Sequence, residues 1–298
     1  MRMFWDDLTE GDWTERLDLG RSVAMQQSWD YGQAALSLGA SVRRARVADD
    51  RGEIAVAQVL DRYGLRLIHR GPVWLRAVDP ATQRRVLRGL ARGATLATPE
   101  GAVAGFGLVP LLTGRFQAVW DLYPSPEALR AGLDRKWAGR LAAAGRAGVQ
   151  VALGHGDTLD TLIREDTAQR QRLRYRGLSP DFLRRLPPAA LRVWQWRQAG
   201  SIGAAMAFVR HGAAATYQTG WAGPAARRCG VHQVMLWQAM LALRAEGVRW
   251  LDLGTVDTDA APGLAHFKLG TGAGLRQLGA TAWVLPGWHG RERQSPAG

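Results

Sequence analysis

Arg227-Arg228-Cys229-Gly230 leads into an apolar run from Val231 to Arg244, followed by Leu251-Asp252-Leu253-Gly254 and then Phe267-Lys268-Leu269-Gly270. In order these read as a basic glycine turn, a buried helix, a strand, a glycine loop and a lone lysine among glycines. Arg227 and Gly230 precede a helix start, where amides without intrahelical partners and the positive end of the helix dipole favour an anion. Lys268 is one of few lysines in an arginine-rich chain. On the bare sequence it is a solvated loop lysine.

Upstream, Leu191 to Trp196, Ile202 to Val209 and Ala214 to Trp221 read as three strands, joined by turns at Gln198-Ala199-Gly200-Ser201 and Arg210-His211-Gly212. Before them come a helix from about Thr158 to Arg174 and a shorter one from Ser179-Pro180-Asp181. Downstream, a strand at Arg249 to Leu253 is followed by a last strand over Leu275 to Leu285 and a disordered tail. The first half has a similar order. An acidic stretch to Gly20 forms a short strand or an arm. Gln27-Ser28-Trp29-Asp30-Tyr31-Gly32 opens a helix with Ser28 as N-cap. Val42 to Val47 and Ile54 to Leu60 flank Asp49-Asp50-Arg51-Gly52 as a hairpin, and Leu65 to His69 is a third strand ending in Arg70-Gly71-Pro72. Asp79-Pro80 caps a helix to about Arg92, and Ala118 to Leu122 is a buried strand. Ser125-Pro126-Glu127 repeats the cap before a helix with Leu129, Leu133, Trp137 and Leu141 as its apolar stripe. Lys136 and Arg140 lie beside the stripe on one face. Val149 to Leu153 is the following strand.

The chain has 298 residues, enough for one large domain or two ordinary ones, with a hydrophobic content of 47% and a charged content of 22%. A single cysteine, Cys229, excludes an intrachain disulfide and a cysteine-cluster metal site and fits a reducing cytoplasm. No metal site is expected, because His155 and His289 lack ligand-spaced partners and His266 sits only beside Lys268. No signal peptide is visible, and no segment approaches the ~20 apolar residues of a membrane helix. The net charge of +13 favours an anionic partner or reflects arginine on a solvated surface. The alternating Arg170, Arg172, Arg174 and Arg176 spread around a helix and read as solvated.

Both halves place a hairpin, a strand, a Gly-Pro turn, a long helix and a short strand in the same order. That order implies two pseudo-repeats, 1–152 and 153–290, with 291–298 as the tail. The fold class expected is α+β (mixed α/β): two tandem domains, each a mixed, largely antiparallel sheet flanked by helices. This is the element order of a GNAT-type acyltransferase, in which two central strands splay apart and the acyl donor lies in the gap.

With those residues in place the chain resembles the Fem-type aminoacyl transferases, tandem-GNAT enzymes that build peptidoglycan interpeptide bridges. The likeness rests on Gln27 to Gly32, Arg70-Gly71-Pro72, Asp121-Leu122 with the helix bearing Lys136 and Arg140, and the helix from His232 to Ala239. It is completed by Leu251 to Gly254 and Phe267 to Gly270. Thr255 departs from it, standing where the family often has a second glycine, and no stretch is long enough for a coiled-coil arm.

The resemblance implies an N-acyltransferase that passes an aminoacyl group from aminoacyl-tRNA, without a further cofactor, to an amine on an anionic acceptor such as a peptidoglycan precursor. It implies a cytoplasmic protein, including the inner face of the membrane. Lys268 is then the candidate for stabilising developing charge. Asp121 is a candidate to hold or deprotonate the amine, or else a structural acid paired with Lys136 or Arg140. Trp29, Arg70, Lys136, Arg140, Tyr217, Arg227, Gly230 and Phe267 are the candidates for substrate binding. Tyr217 lines an acyl pocket or packs in the core, and Asp252 fixes its loop. On this reading the site belongs to both repeats, with Lys268 on one wall and Asp121, Lys136 and Arg140 on the other. An acyl-CoA-dependent N-acyltransferase on the same fold is the alternative. His232 falls where coenzyme-A users carry a small residue, which argues against it; the ring itself reads as a helix-start histidine bonded to a neighbouring loop. A non-catalytic nucleic-acid binder using the positive charge is the second alternative.

Overall fold

The computed structural model of the protein describes residues 1–21, 24–173 and 177–287. The expected tail, Arg174 and Arg176 lie outside the described residues. The chain divides into two compact units, Met1–Phe116 with Arg276–Gly298, and Gln117–Leu275.

The first unit opens with β1 (Arg2–Trp5) and α1 (Glu10–Leu19). Thr9 and Asp12 close a reciprocal capping box at the start of α1. The acidic stretch is therefore a strand and a helix, not an arm. α2 (Trp29–Ser37) is capped by Ser28 as expected. β2 (Ser41–Asp49), β3 (Gly52–Arg62), β4 (Leu65–His69), β5 (Val73–Trp74), α3 (Pro80–Leu90), β6 (Ala94–Thr98) and β7 (Leu108–Leu112) follow. Their sheet runs β1-β2-β3-β4-β6-β15-β7, with β5 on β3 and β15 (Thr281–Val284) arriving from the far end of the chain. Val86, Leu87 and Leu90 of α3 pack with Ala57 and Val59, while Trp13 and Leu17 of α1 pack with Val56 and Val73. Alternate β3 side chains thus feed two cores.

The second unit holds β8 (Phe116–Asp121), α4 (Pro126–Ala131), α5 (Arg135–Arg146), β9 (Ala152–Leu153), α6 (Gly156–Leu173) and α7 (Pro180–Arg185). β10 (Leu191–Gln198), β11 (Ser201–His211), β12 (Ala214–Ala222), α8 (Pro224–Arg228), α9 (Val231–Ala245), β13 (Trp250–Val256), α10 (Pro262–Leu269) and β14 (Gly274–Gln277) complete it. The sheet order is β14-β8-β13-β12-β11-β10-β9. Ala204, Met206 and Phe208 of β11 face one core with Trp137 and Leu141 of α5 and the apolar face of α9, including Val234, Met235 and Leu236; Ala205 and Ala207 face Leu162 of α6.

The fold class is the expected one: mixed, largely antiparallel sheets flanked by helices. The repeat is visible in the pairing. β2, β3 and β4 form an antiparallel run, then α3 leads to β6 parallel to β4. β10, β11 and β12 do the same, and α9 leads to β13 parallel to β12. The helix expected after Ser125 is two, α4 and α5, and the unit boundaries and the last strand also differ from the sequence reading. The units change at 116/117 and 275/276, whereas the sequence division falls at 152/153. The stretch read as one last strand is two, β14 and β15, which enter different sheets on either side of Leu278-Gly279-Ala280.

Candidate active site

In the second unit β12 and β13 pair in parallel over only three residues, Ala214, Ala215 and Thr216 against Trp250, Leu251 and Asp252. β12 runs on to Ala222 and β13 to Val256 without further pairing to each other. Unpaired main-chain groups between two central strands form a gap that a bound chain can occupy. Tyr217 is the first residue of β12 past the last pair; its ring lies 5.6 Å from that of Phe208, so it packs at the root of the gap.

Lys268 lies on the β13 side. It is not on a loop, as its glycines implied, but near the end of α10, which starts with Pro262 at N1 and ends at Gly270. Only 5% of the residue is exposed. Its Nζ donates to the Thr255 carbonyl at 2.8 Å. Burial lowers its pKa from the ordinary 10.5 to about 8, against the opposing pull of Asp252. Asp252 is itself buried, and its Oδ1 accepts from the Gly254 N–H at 2.7 Å, so it does fix the turn as read. Gly254 has φ 81, and a Cβ there would stand 3.4 Å from Nζ. Glycine therefore lets the turn pass close over the ammonium. Gln117 at the start of β8 donates from Nε2 to Thr255 Oγ1 at 3.2 Å. Thr255 thus joins both neighbours: its carbonyl holds the lysine and its hydroxyl holds Gln117. Sequence reading treated Thr255 only as a departure, and Gln117 gave no signal because its partner lies 138 residues away.

Phe267 precedes the lysine; its carbonyl accepts from Trp137 Nε1 at 3.0 Å, and its ring faces those of Trp137 and His232. α5 therefore positions the lysine helix. Gly230, at φ 68, caps α9, and a Cβ there would approach the Arg140 carbonyl to 3.3 Å. Backbone conformation and close packing of α5 both require glycine at this position. The basic turn is a short helix, α8, and exposed Arg227 donates from Nε to the Ala222 carbonyl at 2.9 Å.

The other candidates fall elsewhere. Lys136 and Arg140 are exposed on α5. Asp121 is exposed at the end of β8, and its Oδ1 accepts from the Tyr123 N–H. β8 meets β13 with Gln117 at Thr255 and with the Leu122 N–H on the Arg249 carbonyl. The strands therefore run in opposite directions, and Asp121 lies about 13 Å along the strand from the lysine end. The structure does not bring Asp121 to Lys268. All three belong to the second unit, so they do not form a wall supplied by the first repeat. In the first unit the Arg44 guanidinium lies 3.5 Å over the Trp29 ring. Gln27 of the same motif donates to the Gln58 and His69 carbonyls, which ties it to β3 and β4. Arg70 is 3% exposed and pairs with Glu100 at 2.5 Å. No group of three or more potential metal ligands occurs among the described residues. No described helix is long and apolar enough to cross a membrane.

Residues 128–269 match the Acetyltransferase (GNAT) domain family, a span that contains the splayed strands and the lysine. The domain match and the fold support an acyltransferase of the GNAT class. Among solved structures, FemX shares 14% identity with the chain, covering 96% of it and 98% of FemX at a TM-score of 0.75. A tandem GNAT protein from the clavulanic acid biosynthesis pathway shares 13% identity over 95% of this chain and 98% of its own, at a TM-score of 0.52. The C-terminal domain of a lysylphosphatidylglycerol synthetase from Agrobacterium fabrum shares 15% over 94% and 93%, at 0.51. No curated protein sequence matches the chain. The resemblance drawn from the motifs therefore holds at the level of fold: the fold is similar to those of FemX and a tandem GNAT protein, and the GNAT family match itself falls in the second unit.

Proposed function

We propose that the protein transfers an aminoacyl group from aminoacyl-tRNA to an amine on an anionic acceptor, with the peptidoglycan precursors as the acceptor class, and that the transfer occurs in the β12/β13 gap. The observation that carries the reading is a buried ammonium held at the edge of that gap. Most lysines are solvated, and burying one without a negative partner in direct contact is unfavourable. A developing oxyanion offsets that cost when it forms.

In the reaction a neutral amine attacks the ester carbonyl carbon and the carbonyl oxygen gains charge. The new C–N bond forms, the C–O bond to the ribose breaks, and the ribose oxygen takes one proton while the amine gives one up. An ammonium has three N–H donors. Thr255 takes one, which leaves two for the oxyanion and the leaving oxygen. With a pKa of about 8 the group is mostly protonated at pH 7, yet gives up a proton more readily than a free lysine. Packing of Phe267 and Trp137 behind it keeps its geometry fixed and its surroundings dry. The chain's net charge of +13 suits a polyanionic donor and an anionic acceptor.

A thermal-shift titration tests the donor. Aminoacyl-tRNA is expected to raise the melting temperature more than the uncharged tRNA does. Stabilisation by acyl-CoA and not by aminoacyl-tRNA would assign the gap to coenzyme-A chemistry. Steeply salt-dependent binding of any tRNA, indifferent to its acyl group and without transfer, would assign the protein to nucleic-acid binding alone.

A further inference from the structure

A second polar group borders the same gap, and one of its atoms has no partner among the described residues. His232 lies in the first turn of α9, and its ring touches both sides of the opening. The Trp221 backbone near the end of β12 favours the charged form of the ring, and the ring centroid lies 6.0 Å from that of Phe267 on α10, the helix packed on β13. Its Nε2 is shut off from solvent and has no hydrogen-bond partner among the described residues. Burial lowers the imidazole pKa, the Trp221 backbone opposes that shift, and the Arg227 charge adds to it. Burial therefore favours the neutral ring. A neutral imidazole that donates from one nitrogen carries a lone pair on the other. A buried acceptor without a donor is unfavourable until a ligand supplies one.

Gln117 adds a second acceptor of the same kind. Its Oε1 is also buried and without a partner among the described residues, while its Nε2 is held by Thr255, the residue whose carbonyl holds Lys268. An unpartnered nitrogen beside Phe267 is matched by a ligand that brings an N–H group. An acetyl or fatty acyl group has no donor to offer it. An α-aminoacyl group carries its amine on the carbon next to the reacting carbonyl.

We infer that His232 forms an amine subsite in the β12/β13 gap, with Nε2 accepting an N–H from the α-amino group of the transferred acyl group. The inference rests on the acyl-transfer reading and adds a selection rule to it: aminoacyl groups are preferred over acyl groups of the same size without the amine.

The test measures binding of the full chain to RNA microhelices that end in a hydrolysis-resistant 3′-amide, charged with alanyl or with propionyl. The wild type is expected to bind the alanyl form about tenfold more tightly, the order of one hydrogen bond to a buried group. His232→Phe keeps a flat ring and is expected to remove that preference while leaving the propionyl affinity unchanged. His232→Gln, which retains an acceptor, is expected to restore part of it. Equal wild-type affinity for the two forms on both RNA and coenzyme A, or an undiminished preference in His232→Phe, overturns the subsite. The same two acyl groups on coenzyme A separate this inference from the donor reading. An alanyl preference seen only on coenzyme A keeps the subsite and removes the RNA donor, and no preference on either carrier removes the subsite. A ring that merely plugs the gap predicts that His232→Phe changes the melting temperature and leaves the discrimination ratio alone.

Discussion

The same pair of parallel strands is built twice in this chain and ends differently each time. In the first unit β4 and β6 stay paired over five residues, from Leu65 with Ala94 to His69 with Thr98, and the Arg70 N–H extends the ladder onto the Thr98 carbonyl. In the second, β12 and β13 part after three residues. The closed pair ends at a buried arginine neutralised by Glu100. The open pair ends near a buried lysine whose direct hydrogen bond is to a neutral carbonyl. One topology thus provides a stabilised interior in one copy and a charged opening in the other. A duplicated fold need not duplicate its site, and the pairing of one strand couple tells the two copies apart.

Substitutions at the two strand ends should have opposite characters. Lys268→Met is expected to lower acyl transfer by about a hundred- to a thousandfold, as removal of one oxyanion donor does, in a single-turnover assay. Its melting temperature should hold or rise, since a buried charge is removed. Glu100→Gln leaves Arg70 without its carboxylate and is expected to cost about 3 kcal/mol of stability by urea titration, with little change in the rate per folded molecule. A stability loss at Lys268 equal to that at Glu100 would erase the distinction between the copies.

The pH dependence sharpens it. If the protonated Lys268 acts, the transfer rate should fall as pH rises through about 8. Stability should move the other way. The folded pKa lies below the unfolded 10.5, so between about 8 and 10.5 the unfolded chain binds more protons and the fold gains stability with rising pH. The gain is at most about 3 kcal/mol and should be absent in Lys268→Met. Gly254→Ala comes next in size. A Cβ at positive φ costs about 1–2 kcal/mol, and its position against Nζ should reduce transfer by about tenfold. Asp121→Asn is the smallest change expected, within about twofold of wild type by the same assay, as for an exposed side chain away from the site.

Much of this was legible in the sequence because it depends on local order. Ser28, Asp79 and Ser125 cap the helices they precede, and the hairpins turn at Gly52 and Gly200. The apolar stripe of Trp137 and Leu141 faces the core. α1 was missed although Thr9 and Asp12 carry the capping spacing, because the acidic composition read as solvated chain. α10 was missed although Pro262 and Gly270 bracket it, and the lysine was therefore read on a loop. The exchange of β8 and β15 between the units was not legible. An amphipathic strand shows which of its faces is buried, not which sheet it joins. The separation of Asp121 from Lys268 has the same origin, since it depends on β8 running against β13. His232 was visible as a bulky residue after the glycine turn, but its unpartnered nitrogen depends on Trp221 and Phe267, which only the fold brings to it.

The central claim is that the open strand pair of the second unit is where an acyl group is transferred. It is tested most directly by following label from aminoacyl-tRNA into a soluble peptidoglycan precursor with the wild type and Lys268→Met, each with its melting temperature recorded. The expected result is transfer by the wild type and a loss of at least about a hundredfold in a variant that melts no lower. Equal transfer by the two proteins would contradict the assignment of Lys268 and of the gap it borders.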